Sequence, residues 1–248
     1  MKILVCISHV PDTTTKIQFE SDGSALNRTG VTFVINPYDE YGLSRALDFK
    51  EKDGLSIESI TVLSVGGREV EPTLRKALAI GADDAVRVDQ PAIDSVQVAR
   101  EIAEYARERE FDIIFTGKES IDYNSAMVPG LVAEMLKLPF VSFATHMEMS
   151  GEKQATLKRE IDGGVEVVET SLPVVVSCQK GIAEWRIPNM RGIMAARKKP
   201  LSVVAGVGDE PTMQTKHFSY PPPKGDTTFI DPEQPEALID QLMEKGVI

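Results

Sequence analysis

Apolar strand-like runs fall at 3–7, 57–65, 85–88 and 112–115, and between them apolar positions recur at helical spacing over 38–52, 70–80 and 94–110, with another such segment at 128–136. Runs this short predict strands buried on both faces, and the intervening period predicts amphipathic helices. Alternating β and α elements require a parallel sheet covered by helices on both faces, expected here for residues 1 to about 138. In such a sheet ligands bind beyond the carboxyl ends of the strands, where Ser8, Gly66-Gly67 and Gly117-Lys118 fall, so three loops converge on one rim.

Two stretches modify the plain alternation. Before Asn36-Pro37 starts the first helix, the segments 16–19 and 31–35 flank Asp22-Gly23 and Asn27 and predict a small excursion hairpin. After Pro139 the period becomes two, and 140–149, 154–161, 165–170 and 173–178 predict strands that extend the sheet, partly antiparallel, with turns at Ser150-Gly151 and Asp162-Gly163-Gly164. From Gln179 the pattern loosens. A loop carries the only tryptophan, Trp185, then come a helix-prone 193–198, the prolines Pro221-Pro222-Pro223 and a last amphipathic helix with Ala237, Leu238, Leu242 and Met243 on one side. The expected division is an α/β domain over 1–183 and, over 184–248, a loop and C-terminal arm that wraps a partner subunit, the alternative being a tail folded back on its own domain.

The richest local chemistry is at 111–125, where an apolar strand runs into a small polar loop that opens a helix. A helix start carries unpaired N–H groups and partial positive charge, so Gly117, Ser120, Asn124 and Ser125 there suit a phosphate and point to a nucleotide. The plain alternative is a strand-loop-helix connection with Ser125 as N-cap. Gly117-Lys118 is not a P-loop, because that motif's first glycine position holds Asp112 and its Ser/Thr position holds Glu119. Neither a G-x-G-x-x-G after a strand nor a G-x-S-x-G elbow occurs, and Glu160 and Asp162 lie first of all beside a turn. No metal site is expected, since His9, His146 and His217 lie far apart in the chain, and Cys6 and Cys178 sit in apolar runs as reduced, buried thiols.

A net charge of −11 disfavours nucleic acid and anionic membrane surfaces as partners. Against it, Arg186, Arg191, Arg197, Lys198 and Lys199 form a local basic cluster, either a solvated loop or a docking patch. No apolar run approaches the ~20 residues of a membrane span and no tripartite leader precedes the first strand, so a cytoplasmic location without membrane insertion is expected.

Several ordered stretches resemble the β subunit of electron transfer flavoproteins over nearly the whole chain: Leu4-Val5-Cys6-Ile7-Ser8-His9-Val10-Pro11-Asp12, Asn36-Pro37-Tyr38-Asp39-Glu40, Leu74-Arg75-Lys76-Ala77-Leu78-Ala79-Ile80-Gly81-Ala82-Asp83, Gly117-Lys118-Glu119-Ser120-Ile121-Asp122, Arg159-Glu160-Ile161-Asp162-Gly163-Gly164 and Leu172-Pro173-Val174-Val175. The resemblance implies a Rossmann-like, adenine-nucleotide-binding α/β fold and a heterodimer whose α subunit holds most of the redox-active FAD. This chain would then bury AMP and act as an electron-carrier scaffold without catalytic residues. By the same resemblance AMP contacts fall on Cys6, Asn36, Pro37, Tyr38, Asp39, Val65, Gly117, Lys118, Glu119, Ser120, Ile121, Asp122, Tyr123, Asn124, Ser125, Ala126, Met127 and Val128. Tyr38 matches an aromatic that approaches the flavin, and Glu160 matches a glutamate tied to alternative placements of the flavin domain. Met190 falls at the apolar anchor of a recognition loop, beside Arg191 and with Arg197 and Lys198 in the basic tract that follows.

Implied partners are the α subunit, acyl-CoA dehydrogenase-type flavoenzymes and a membrane quinone oxidoreductase. The location would be cytoplasmic in a bacterium and the mitochondrial matrix in a eukaryote. Where the flavin-bifurcating branch has an acidic residue, Thr and Gln, this chain has Asn124, Ser125 and Met127, which favours AMP over a second FAD. The other readings weighed are an adenylating enzyme, for which Ser8-His9-Val10-Pro11 offers no glycine, and a self-associating stress-type nucleotide sensor.

Overall fold

The computed structural model describes residues 1–208 and 211–248. Its first strand, β1 (Lys2–Cys6), shows how the sheet is made: Ile3 and Val5 point into one buried cluster, Leu4 and Cys6 into another. A strand buried on both faces has to be apolar at successive positions, which is what the sequence supplies.

The chain continues through β2 (His9–Pro11), β3 (Phe33–Ile35), α1 (Pro37–Glu51), β4 (Ser59–Val65), a 3-10 turn at Arg68–Val70, α2 (Glu71–Ile80), β5 (Asp84–Asp89), α3 (Ser95–Arg107), β6 (Ile113–Gly117) and α4 (Val128–Leu136). It then adds β7 (Phe140–Gly151), β8 (Gln154–Ile161), β9 (Gly164–Ser171), β10 (Val174–Cys178), α5 (Met190–Ala196), β11 (Leu201–Ala205) and α6 (Glu236–Glu244). The main sheet has nine strands in the order β11-β5-β4-β1-β6-β10-β7-β8-β9. Every neighbour pair from β11 to β7 is parallel, while β8 and β9 form an antiparallel extension. Leu43, Ala46 and Leu47 of α1 and Leu74, Ala77 and Leu78 of α2 cover one face; Ala99, Ile102 and Ala106 of α3 and Val132 and Ala133 of α4 cover the other. The sheet is thus mainly parallel with helices on both faces, as expected.

Strand order reverses at β1. The chain moves outward through β4 to β5, then returns to place β6 on the other flank of β1, so the connections after β1 and β6 lead to helices on opposite faces, the position at which sheets of this kind bind ligands.

Three expectations need correction. The excursion does not pair 16–19 with 31–35. Instead β2 pairs antiparallel with β3 in the register His9↔Ile35, and only an isolated bridge joins Phe19 to Leu26. Buried Val10 and Ile35 fix that pairing, and Asp12, whose carboxylate takes the N–H and hydroxyl of Thr14, turns the chain just after β2. Second, the last helix before the arm begins at Met190 rather than near residue 193, because the Asn189 side chain accepts the N–H of Gly192 and caps it. A methyl at Gly192 would lie 2.2 Å from the Ala79 carbonyl oxygen, so the glycine lets α5 close onto α2.

Third, part of the expected arm belongs to the sheet: Leu201–Ala205 runs parallel to β5 as an edge strand. Two basic residues secure it. The Arg75 guanidinium donates to the carbonyls of Ala196 and Lys199, and the Lys199 ammonium donates to those of Leu78, Gly81 and Ala82 at the end of α2. Beyond residue 205 the described residues are largely exposed, and α6 buries none of its residues; Leu238, Ile239 and Met243 are all uncovered.

Candidate functional site

The start of α1 staples the rim together. Asn36 and Asp39 are both buried, at 0% and 3% exposure. The Asp39 carboxylate accepts the N–H of Ser8 after β1 and of Gly117 at the end of β6, each at 2.7 Å. The Asn36 side-chain amide donates to the Glu119 carbonyl at 2.9 Å and its oxygen accepts the Ile121 N–H at 3.2 Å. One helix N-terminus therefore fixes the exits of β1 and β6 and the first half of the following loop. Burial pushes the Asp39 carboxyl up to about 7, against the pull of the Ser8 and Gly117 N–H groups and Asn36. Gly117 cannot be larger, since a methyl there would lie 2.3 Å from an Asp39 carboxylate oxygen, 2.7 Å from Tyr38 Cβ and 2.9 Å from Asn36 Nδ2.

Pro37 occupies the first turn of α1, where a missing N–H costs nothing. Beside it, half-buried Tyr38 has the Lys118 ammonium 4.8 Å from its ring centroid. Lys118 also pairs with Glu119 at 3.4 Å. Partial burial works against its charge, but Tyr38 and Glu119 outweigh it and hold the ammonium above its ordinary range. Val65 and Cys6 end their strands in the cluster on the α3 side of the sheet, nearly buried. Cys6 and Cys178 are both free thiols pushed up by burial, with the nearby Asp39 charge adding to it.

Past Ile121 the loop opens. Asp122, Tyr123, Asn124, Ser125, Ala126 and Met127 are all exposed, Tyr123 at 67%. Asn124 and Ala126 take positive φ of 51° and 53°, which for alanine is strained backbone that neighbouring structure has to hold. The Asn124 N–H returns to the Ser120 carbonyl at 2.9 Å. Ser125 does not cap α4; Met127 occupies that position, without a side-chain hydrogen bond, and the Ser125 hydroxyl instead meets the Ser95 hydroxyl of α3 at 3.0 Å. The first helical bond runs from the Leu131 N–H to the Met127 carbonyl, so the N–H groups of Val128 and Gly130 lie in the orphan positions of a helix start.

Glu160 lies on β8, exposed, and accepts a hydrogen bond from the Gln179 side chain. Gln179 follows Cys178, whose carbonyl takes the Lys118 N–H, so Tyr38, Lys118 and Glu160 follow one another along the same sheet edge. Met190 lies at the start of α5, 73% exposed, and Trp185, Ile187 and Met194 nearby in the chain are exposed as well. Arg191, Arg197 and Lys198 are exposed. The rest of the basic cluster is engaged: Arg186 binds Asp48 and Glu51 of α1, and Lys199 holds the end of α2. Asp94, which caps α3 by accepting the Gln97 N–H, and Ser95 also border the loop. Asp94 could be read as a helix start in the sequence, but nothing there signalled that the next residue touches Ser125.

Fold and rim together define a doubly wound α/β protein whose sheet reverses strand order at β1. The sequence model described as "Electron transfer flavoprotein domain" matches residues 24–206. The chain is 40% identical over 245 residues to the electron transfer flavoprotein subunit beta of Syntrophomonas wolfei, covering 98% of this chain and 95% of that protein. It is 38% identical over 207 residues to the Bacillus subtilis subunit beta, covering 81% and 77% respectively, and 32% identical over 255 residues to the mouse subunit beta, covering 100% and 99%. The chain belongs to the electron transfer flavoprotein family, with the beta subunits as its relatives.

Proposed function

We propose that this chain is the non-catalytic half of a heterodimeric electron carrier: it buries AMP at the sheet edge, contributes one wall to a flavin site held mainly by an α subunit, and docks the redox partners. The observation that carries the AMP reading is the division of labour around Gly117. Asn36 and Asp39 spend their polar atoms holding the walls, which leaves the exposed 122–127 segment and the Val128 and Gly130 N–H groups at the start of α4 to meet a phosphate. The residues fit such a group. Backbone donors at a helix start favour an anion, positive φ at Asn124 and Ala126 turns neighbouring N–H groups as in an anion nest, and Cys6 and Val65 give an apolar floor for a base.

Flavin, when bound, supplies one- and two-electron chemistry; the residues here shape and charge its surroundings. Tyr38 presents an aromatic ring backed by the Lys118 cation, and Glu160, held by Gln179, provides a carboxylate on the same edge. Met190 is an exposed flexible apolar side chain with Arg191 beside it and Arg197 and Lys198 at the end of the same helix. That arrangement suits brief docking to acyl-CoA dehydrogenase-type flavoenzymes, in which charge raises the encounter rate and the anchor sets the register. A membrane quinone oxidoreductase would be the electron acceptor, reached from solution: among the described residues no helix is long and apolar enough to cross a membrane.

Co-expression with an α subunit of the family tests this reading. A one-to-one yellow heterodimer is expected, with no visible flavin absorbance when this chain is purified alone. A stable homodimer that ignores the α subunit would refute it.

A further inference from the structure

Described residues after β11 bond to elements that border the same rim. Val207 donates its N–H to both oxygens of buried Glu101 on α3, at 3.1 and 3.0 Å. At the start of α3 one Asp94 oxygen caps the helix, and the other accepts the N–H groups of Thr212 and Met213 at 2.6 and 2.9 Å and the Thr212 hydroxyl at 3.3 Å. Farther on, the Phe218 N–H bonds to the Gly23 carbonyl at 2.8 Å, and the Tyr220 hydroxyl accepts the Phe19 N–H at 3.3 Å. The Phe19 ring packs against Phe218 and Tyr220, with centroids 5.3 and 4.9 Å apart.

These anchor points coincide with the supports of the open loop. Ser125 leans on Ser95, the residue after Asp94, while Asp122 lies close enough to His9, at the base of the excursion, for its charge to act on that imidazole. A segment tied to α3 at one end and to the excursion at the other therefore runs from beside the support of Ser125 to the excursion whose base Asp122 faces. The residues of this segment are mostly exposed, so the end anchors hold it rather than core packing.

We propose that residues 211–220 are a retaining strap across the mouth of the nucleotide edge, latched by Asp94 at one end and by the Phe19–Phe218–Tyr220 cluster at the other, and that it controls how fast a bound adenine nucleotide exchanges. The proposal rests on the AMP reading above. Opening would need the Asp94 bonds, the Phe218–Gly23 and Phe19–Tyr220 hydrogen bonds and one aromatic cluster to release, with no change in the sheet.

The test compares the purified heterodimer carrying Thr212→Pro, Phe218→Ala plus Tyr220→Ala, or all three changes with the unsubstituted heterodimer. None of these residues belongs to the proposed nucleotide contacts. Thr212→Pro removes the N–H that Asp94 takes most closely, and the pair removes the aromatic anchor. Exchange of bound nucleotide against labelled AMP should accelerate about tenfold or more in the triple variant, since losses of contact of this kind act mainly on dissociation. Limited proteolysis within 211–220 should accelerate in parallel while the flavin spectrum stays the same. Faster cleavage with unchanged exchange would overturn the strap, and so would unchanged cleavage in the triple variant, because the anchors would not be what holds the segment. An unsubstituted heterodimer containing no adenine nucleotide would instead remove the AMP reading itself.

Discussion

Substituting Gly117→Ala adds one methyl group at the point where β1, β6 and α1 meet. The methyl carbon would sit 2.3 Å from an Asp39 carboxylate oxygen, about an ångström inside contact distance. Asp39 has no open side to move into, because its oxygens are fixed by Ser8 and Gly117 and it is 3% exposed. Relief therefore means overpacking strain of about 1–3 kcal/mol. It also costs the buried N–H bond from Gly117 to a carboxylate, worth about 1.5–3 kcal/mol. The sum is about 2.5–6 kcal/mol, or roughly 5–24 °C in Tm for a chain of this length. Thermal unfolding of the heterodimer by far-UV circular dichroism, at fixed concentration, reads this directly. Gly164→Ala is the control: nothing lies within 4 Å of the added methyl and the backbone there is not left-handed, so its Tm should stay within about 2 °C. A Gly117→Ala protein as stable as that control would refute the stapled-rim account.

Three further outcomes are expected. Because burial raises the Asp39 carboxyl to about 7, the folded chain holds a proton that the unfolded chain loses near 3.9; this contribution is complete below about pH 4 and is lost as pH rises to 7, at up to about 1.4 kcal/mol per pH unit. Urea midpoints of Asp39→Asn should lack that slope, and parallel profiles for the two proteins would contradict it. Asp48 behaves in the opposite sense. Burial pushes its carboxyl up, but the bonds from Arg186 and Lys52 prevail and hold it below its ordinary range, so its contribution is present above about pH 4 and is lost as pH falls further. Arg186→Ala should cost about 1–2 kcal/mol at neutral pH and flatten the acid limb of the urea profile, and an unchanged midpoint would be the contrary result. Met190→Ala should leave stability within about 0.5 kcal/mol, since the side chain is exposed, yet slow electron transfer from a dehydrogenase while flavin and AMP content stay fixed; loss of the heterodimer would show Met190 to be structural.

Legibility in the sequence followed element length and the range of the contacts. The strands around 3–7, 57–65, 85–88 and 112–115 and the helices between them were readable because each buries enough apolar positions to impose a period. Strands β2 and β3 have only three residues each, too few for a period, and the sequence pattern puts the pairing on 16–19 instead. Strand β11 was hidden behind Arg197-Lys198-Lys199-Pro200, a run that reads as solvated until the Lys199 ammonium is seen on the carbonyls of α2. At the rim, the glycine and the polar loop were legible locally. That Asn36 and Asp39 hold the walls was not, because their partners lie up to 85 positions away in the chain. Nor could the sequence alone place Thr212 on Asp94.

The most direct test of the account is the nucleotide inventory of the heterodimer, obtained by acid extraction and chromatography. One AMP and one FAD per heterodimer is the predicted result. Two FAD without AMP, or an extract free of adenine nucleotide beyond the flavin, would contradict the claim that this sheet edge is built to enclose an adenylate.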